Sequence, residues 1–233
     1  HYNCPVIAYY PELLEANIEQ LQRVKYLRPY FGLHRPHDFE KKASAYFYDE
    51  FGIEKAEVSK ACKSAYLAYE NYRTAVREEG DRIIKFAREK GYPIVVLAGR
   101  PYHIDSEINH GIDTLLNSFS MCVITEDAIS AKLEKQPVKV LNQWTYHARL
   151  YSAANYVATQ KDMQLIQLVS FGCGIDAITG DEVRDILERN GKLYTQIKID
   201  EIYNLGAVKI RIRSLLAAME RAGNSIGRTD IQR

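Results

Sequence analysis

The stretch that most constrains this chain runs from Met163 to Leu187, MQLIQLVSFGCGIDAITGDEVRDIL, because its hydrophobic period changes in the middle. A run of about seven residues rich in Leu, Ile and Val suits a buried strand. Ile178, Val183, Ile186 and Leu187 then recur at helical spacing, so the segment reads as strand, tight turn and helix. Cys173 falls in the turn, which in an open α/β sheet lies at the carboxyl end of a strand, where such folds bind ligands. Gly172 and Gly174 give the backbone conformations closed to other residues and present the thiol outward. The competing reading is a small apolar cysteine packed beside a turn.

A second unit of the same kind begins at Gly91, GYPIVVLAGRPYHIDSEINHGIDTLLNSF. It predicts a buried strand over Ile94 to Ala98, a glycine turn, and a helix carrying Ile108, Ile112, Leu115 and Leu116. Gly99-Arg100-Pro101 occupies the strand's carboxyl end, and the planar fork of Arg100 suits a phosphate or carboxylate. His103, Asp105 and His110 follow, a set fit for acid–base chemistry or equally for caps and surface hydrogen bonds. Met121 to Thr125 predicts a third strand containing Cys122 and ending at Glu126-Asp127, and Lys192 to Ile199 a last one closed by Asp200-Glu201. A helix over Asn142 to Gln160 contains Trp144 and His147, the latter read as a hydrogen-bonded core residue. Val208, Ile212, Leu215, Leu216 and Met219 mark a final helix. From residue 91 the order is therefore β-α-β-α-β-α-β-α, which implies an α/β fold with a flavodoxin- or Rossmann-like parallel sheet. Neither a P-loop nor a GxGxxG fingerprint is present.

The first ninety residues read differently. Pro11-Glu12 opens a helical pattern through Leu13, Leu14, Ile18 and Leu21, and Cys4 stands just before this element. Tyr26 to His37 reads as a loop, with His34 and His37 lacking any recognisable ligand spacing. Asp38 to Lys90 predicts two or three long helices bearing a stripe of Tyr46, Tyr48, Tyr66, Tyr69 and Tyr72. Cys62 falls inside a helix and reads as structural. The division that follows is an α/β domain over 1–25 and 91–222, a helical insertion over 26–90, and a polar tail over 223–233. Thirty-one basic against thirty acidic residues leave a net charge of +1, which argues for no nucleic-acid or membrane partner. No apolar run approaches a spanning helix, and four scattered cysteines suit a reducing, cytoplasmic compartment. Because His1-Tyr2-Asn3-Cys4 enters a motif so soon, the chain reads as a piece of a longer polypeptide.

Asn3-Cys4-Pro5 with its Tyr-Pro-Glu helix start, Gly99-Arg100-Pro101-Tyr102-His103-Ile104-Asp105, Phe171-Gly172-Cys173-Gly174 and Ile199-Asp200-Glu201 together resemble the 2-hydroxyglutaryl-CoA dehydratase D-component family, in the form found within large CoA-substrate-specific enzyme activases. The resemblance implies a repeated flavodoxin-like architecture in which three cysteines at strand ends hold a [4Fe–4S] cluster. It also implies an ATP-hydrolysing activase domain or subunit as partner, delivering an electron for radical chemistry on an acyl-CoA, with anaerobic metabolism as the setting. By position Cys4 matches the first cluster cysteine and Cys173 the last, whereas Arg100 stands where dehydratases have the middle one. A guanidinium cannot ligate iron, so a further thiolate must complete the set or the site has changed purpose.

Two functions from different classes follow. One is an iron–sulfur redox protein in which Cys4 and Cys173 ligate the cluster while Arg100 and His103, as catalytic residues, stabilise an anionic substrate or the cluster. The other is a non-catalytic scaffold that docks the activase portion through the Tyr-rich helices. Thiol exchange without metal is the weakest reading, since no CxxC pair is present.

Overall fold

The computed structural model describes residues 4–134, 137–170, 172–199 and 205–221. The turn carboxylates Asp200 and Glu201, Asn3, Phe171 and the polar tail over 223–233 lie outside them. The described residues up to Ala75 form one compact unit and those from Val76 onward a second.

In the first unit, α1 (Pro5–Asn17) begins at Pro5 and not at Pro11. Pro5 takes the opening position, where its missing N–H costs nothing, and Cys4 becomes the N-cap. Pro11 lies in the helix interior. Next comes α2 (Pro36–Phe51), which ends at Gly52 in the left-handed region with φ 67°. The N–H groups of Gly52 and Ile53 reach back to the carbonyls of Tyr48 and Phe47, satisfying acceptors the helix would otherwise leave open. Then α3 (Lys55–Lys90) runs across the boundary between the units. Buried Ala43, Val58 and Cys62 form this unit's small core with Phe31, Phe39, Phe47 and Ile53. The aromatic stripe divides: Tyr46 packs edge-on against Phe31, and Tyr66 donates to the Leu33 carbonyl. Tyr48, Tyr69 and Tyr72 remain exposed.

The second unit holds the sheet, and its order is that read from the sequence. β1 (Ile94–Ala98) is followed by α4 (Ile112–Ser118), β2 (Cys122–Thr125), the short α5 (Glu126–Ile129) and α6 (Thr145–Thr159). β3 (Met163–Val169), α7 (Gly174–Arg189), β4 (Tyr194–Lys198) and α8 (Gly206–Arg221) complete it. All four strands are parallel, in the order β2-β1-β3-β4. Every residue of β1 is buried because helices cover both faces. Ile94, Val96 and Ala98 face a core with α6, α7 and the end of α3, while Val95 and Leu97 face one with α4 and α8.

The helix expected directly after β1 starts later than its periodicity implied. Pro101–Ile104 forms a 3-10 turn, and turns continue to Gly111. Asp105 accepts the N–H groups of Glu107 and Ile108, and Asn109 accepts that of Gly111. These local bonds give the backbone an alternative to the helix ladder. Ile108 therefore lies in the turn and only Ile112, Leu115 and Leu116 pack from α4.

Gly80 sits buried where α3 passes α5. A Cβ there would lie 2.6 Å from the Ala128 Cβ. Gly80→Ala is expected to lower stability by about 1–3 kcal/mol through overpacking, despite a gain of about 1 kcal/mol in helix propensity. Urea unfolding of Gly80→Ala alone and together with Ala128→Gly checks this: the second substitution restores the midpoint if the clash is the cause.

Candidate functional site

The chain leaves β1 for β2 on one side and later crosses to β3 on the other. The order of the sheet thus reverses between β1 and β3, and the loops leaving those two strand ends diverge. A crevice outside the carboxyl ends at such a reversal is where open α/β sheets take ligands. Arg100 and His103 follow β1, and Ser170, Cys173 and Asp176 follow β3. The sequence-predicted Arg100, His103 and Cys173 are therefore all brought to one edge of one unit. Cys4 belongs to the other unit, as the N-cap of α1.

Gly99 makes the β1 turn possible. Its missing Cβ would lie 2.3 Å from His103 Nδ1 and 3.2 Å from the Leu168 carbonyl, so the imidazole packs directly over bare backbone. His103 is 2% exposed. Its Nδ1 accepts the Arg100 backbone N–H at 3.0 Å, which places the ring proton on Nε2, facing Ser170 Oγ at 3.4 Å. Ser170 Oγ also pairs with the Tyr102 hydroxyl at 3.0 Å. Burial disfavours the imidazolium and Arg100 opposes it, so the His103 pKa falls to about 4 despite Asp176 nearby. His103 is neutral and engaged at both nitrogens, holding the loops after β1 and β3 together.

Arg100 reaches from the end of β1 to the first turn of α7, where its Nη2 donates to Asp176 Oδ1 at 2.8 Å. Burial is the largest single influence and works against the guanidinium charge, but the bond to Asp176 and the charges of Asp176, Tyr102 and Cys173 together outweigh it, and the Arg100 pKa rises. Burial also raises the Asp176 pKa, while bonds from His147 and Arg100 pull it the other way and leave it lowered. His147, on the first turn of α6, is buried as read from the sequence, and its Nε2 lies 3.4 Å from the same Oδ1. Asp176 Oδ2 and His147 Nδ1 are buried without a hydrogen-bond partner.

Cys173 is the N-cap of α7, half-buried, with no side-chain cap bond. Neither flanking glycine takes a positive φ, contrary to the conformational role expected of them. A Cβ on Gly172 or Gly174 would meet nothing within 4 Å, so space surrounds the thiol's neighbours. Cys122 opens β2 at the opposite end of the strands, and burial raises its pKa. Glu126, at the end of β2, is buried against Arg149. His110 bonds the Ile199 carbonyl at 3.1 Å.

Within this unit alone the donor set does not complete a [4Fe–4S] cluster. A cubane needs several soft thiolates, and the described residues of this unit bring one to the strand ends, with a guanidinium engaged by a carboxylate beside it. Among the described residues no three His, Cys, Asp or Glu side chains are grouped to hold a metal ion. Sequence reading missed Asp176 and Ser170. The available signal was an acidic residue in the first turn after the glycine-flanked cysteine, facing a strand end that carries arginine.

Residues 1–129 match the family model described as CoA enzyme activase uncharacterised domain (DUF2229), a span that includes Cys4, Arg100 and His103 but not Cys173. No curated protein and no solved structure matches the chain. Among the described residues no helix is long and apolar enough to cross a membrane.

The depressed His103 pKa carries a sign. The unfolded imidazole protonates near pH 6.5 and the folded one only near 4, so stability is full above that window and falls as pH drops through it. The loss reaches on the order of 3 kcal/mol. Urea midpoints between pH 7 and pH 4.5 are expected to drop for the native chain and to flatten in His103→Gln.

Proposed function

The chain belongs to the family of the CoA enzyme activase uncharacterised domain, and from that premise we propose that it is an accessory domain of an acyl-CoA redox system. It works beside an ATP-hydrolysing activase domain or subunit and offers the β1/β3 edge to an acyl-CoA, without assembling a [4Fe–4S] cluster of its own. The observation that carries this reading is the Arg100–Asp176 pair. A charged guanidinium, tied to a carboxylate at the place the resemblance assigns to a thiolate, suits oxyanions and repels metal cations. Arg100 recognises the anion, His103 fixes the turn from which Arg100 projects, and exposed Tyr48, Tyr69 and Tyr72 supply an aromatic face for docking the partner.

One observation favours a second reading. Cys4 and Cys173 are both N-caps, each at the start of a helix and neither spending its side chain on a cap bond. In the intact protein the two would be cluster ligands, completed by thiolates from outside this chain, and the domain would receive the activator's electron.

Anaerobic reconstitution with iron and sulfide, read by electron paramagnetic resonance, separates the two. The first reading expects no cluster signal from this chain. It also expects unchanged capture of the activase portion by Cys4→Ser and Cys173→Ser, with several-fold weaker capture by Tyr69→Ser/Tyr72→Ser. A cluster signal in the longer protein that vanishes in both cysteine variants would instead establish the second.

A further inference from the structure

The Arg100–Asp176 pair spans the reversal point of the sheet. Its arginine comes from the β1 loop and its aspartate from the first turn of the helix after β3. Both side chains are largely buried, at 15% and 12% exposure. A ligand entering the crevice from the strand ends therefore meets an ion pair that is already made.

The pair is incompletely used. A guanidinium and a carboxylate can share two parallel bonds, the stronger arrangement. Here Asp176 places Oδ1 against both Arg100 Nη2 and His147 Nε2, and Oδ2, itself buried, has no partner. An unpartnered carboxylate oxygen in the interior costs desolvation free energy that no bond returns. Beside it Cys173 caps α7 without a side-chain bond, and both flanking glycines border open space. The first turn of a 16-residue helix thus has no side-chain cap next to the guanidinium.

We infer that Asp176 is an internal competitor for Arg100, holding its guanidinium until an oxyanion of a CoA ester, carboxylate or phosphate, takes the carboxylate's place. The inference rests on the acyl-CoA reading of this edge. Asp176 mimics the ligand: the same fork binds either, and the guanidinium stays engaged in the absence of one. Removing the competing charge while keeping the side chain's shape and its acceptor oxygen must then strengthen binding. Reciprocity requires that whatever binding free energy the native chain spends on displacing Asp176 be recovered in the variant.

The test is calorimetric titration of the full chain with succinyl-CoA and with butyryl-CoA, which differ by the acyl carboxylate and share the same phosphates. Asp176→Asn is expected to bind at least one of them roughly tenfold more tightly than the native chain. A gain confined to succinyl-CoA assigns the oxyanion to the acyl end, and an equal gain for both assigns it to the CoA phosphates. Adding Arg100→Gln to Asp176→Asn must abolish the gain. Thermal unfolding by circular dichroism establishes that each variant is folded. Unchanged or weaker binding of both esters by folded Asp176→Asn overturns the inference. If neither the native chain nor any variant binds either ester, the acyl-CoA reading itself fails, and that outcome is distinct from a native chain that binds and a variant that gains nothing.

Discussion

Parallel strands cannot be joined by tight turns, so each must be followed by a crossover that packs back onto a face of the sheet. With right-handed crossovers the face a helix covers decides the direction in which the next strand is laid down. In this chain α4 lies on one face and carries β1 to β2, while α6 lies on the other and carries the chain back past β1 to β3. That single reversal creates the site. Because β1 and β3 are hydrogen-bonded neighbours, Ala98 pairs with Gln167. Residues leaving the two strands therefore start side by side and are free to diverge, which brings Arg100 and Asp176 within bonding distance although they are far apart in the chain.

The two ends of the sheet are finished in contrasting ways. At the amino end Arg88 pairs with Asp162 at 2.6 Å, and Lys192 donates to the carbonyls of Gln160 and Met163, so polar groups are consumed in closing the fold. At the carboxyl end Asp176 Oδ2 and His147 Nδ1 are buried without a hydrogen-bond partner. Buried ion pairs are poor sources of net stability, because desolvation of both partners offsets their attraction. An arrangement that binds Arg100 by one carboxylate oxygen and leaves the other without a partner is therefore ill explained as a strut. On the reading proposed above, it serves the anion that Arg100 would meet at the crevice. His103 is the structural counterpart: it is neutral, satisfied at both nitrogens and seated over Gly99.

How much of this was legible depended on whether the signal was local. The strand over 94–98 was readable to the residue, since a fully buried central strand is a continuous apolar run bounded by a loop and a glycine. The parallel sheet followed from the alternation of elements. The helix after β1 was misjudged because apolar periodicity at Ile108 says nothing of the side-chain bonds from Asp105 and Asn109 that hold the backbone in turns. Pro11 misled for a related reason: Pro5 was an equally good opening residue, and proline alone does not say which of two positions starts a helix. Gly172 and Gly174 looked conformational, but that role belongs elsewhere, as at Gly52. Asp176 was invisible as a partner because pairing across the sheet reversal is a property of topology, and only Arg100, its other half, stood out in sequence.

The four cysteines show why the position of a thiol carries more chemistry than its presence. Cys62 is sealed in a helical core and Cys122 opens a strand at the far end of the sheet, and burial raises the pKa of each. Neither meets the conditions for a nucleophile or a ligand. Cys4 and Cys173 each immediately precede a helix, where donors are unsatisfied, and Cys173 stands beside Arg100 at the strand ends. The guanidinium beside it cannot ligate iron, and its positive charge repels a metal cation. On the acyl-CoA reading proposed above, an arginine in place of a soft ligand is thus no neutral loss of one donor, because a guanidinium prefers oxyanions, the groups a CoA ester presents, to metal cations.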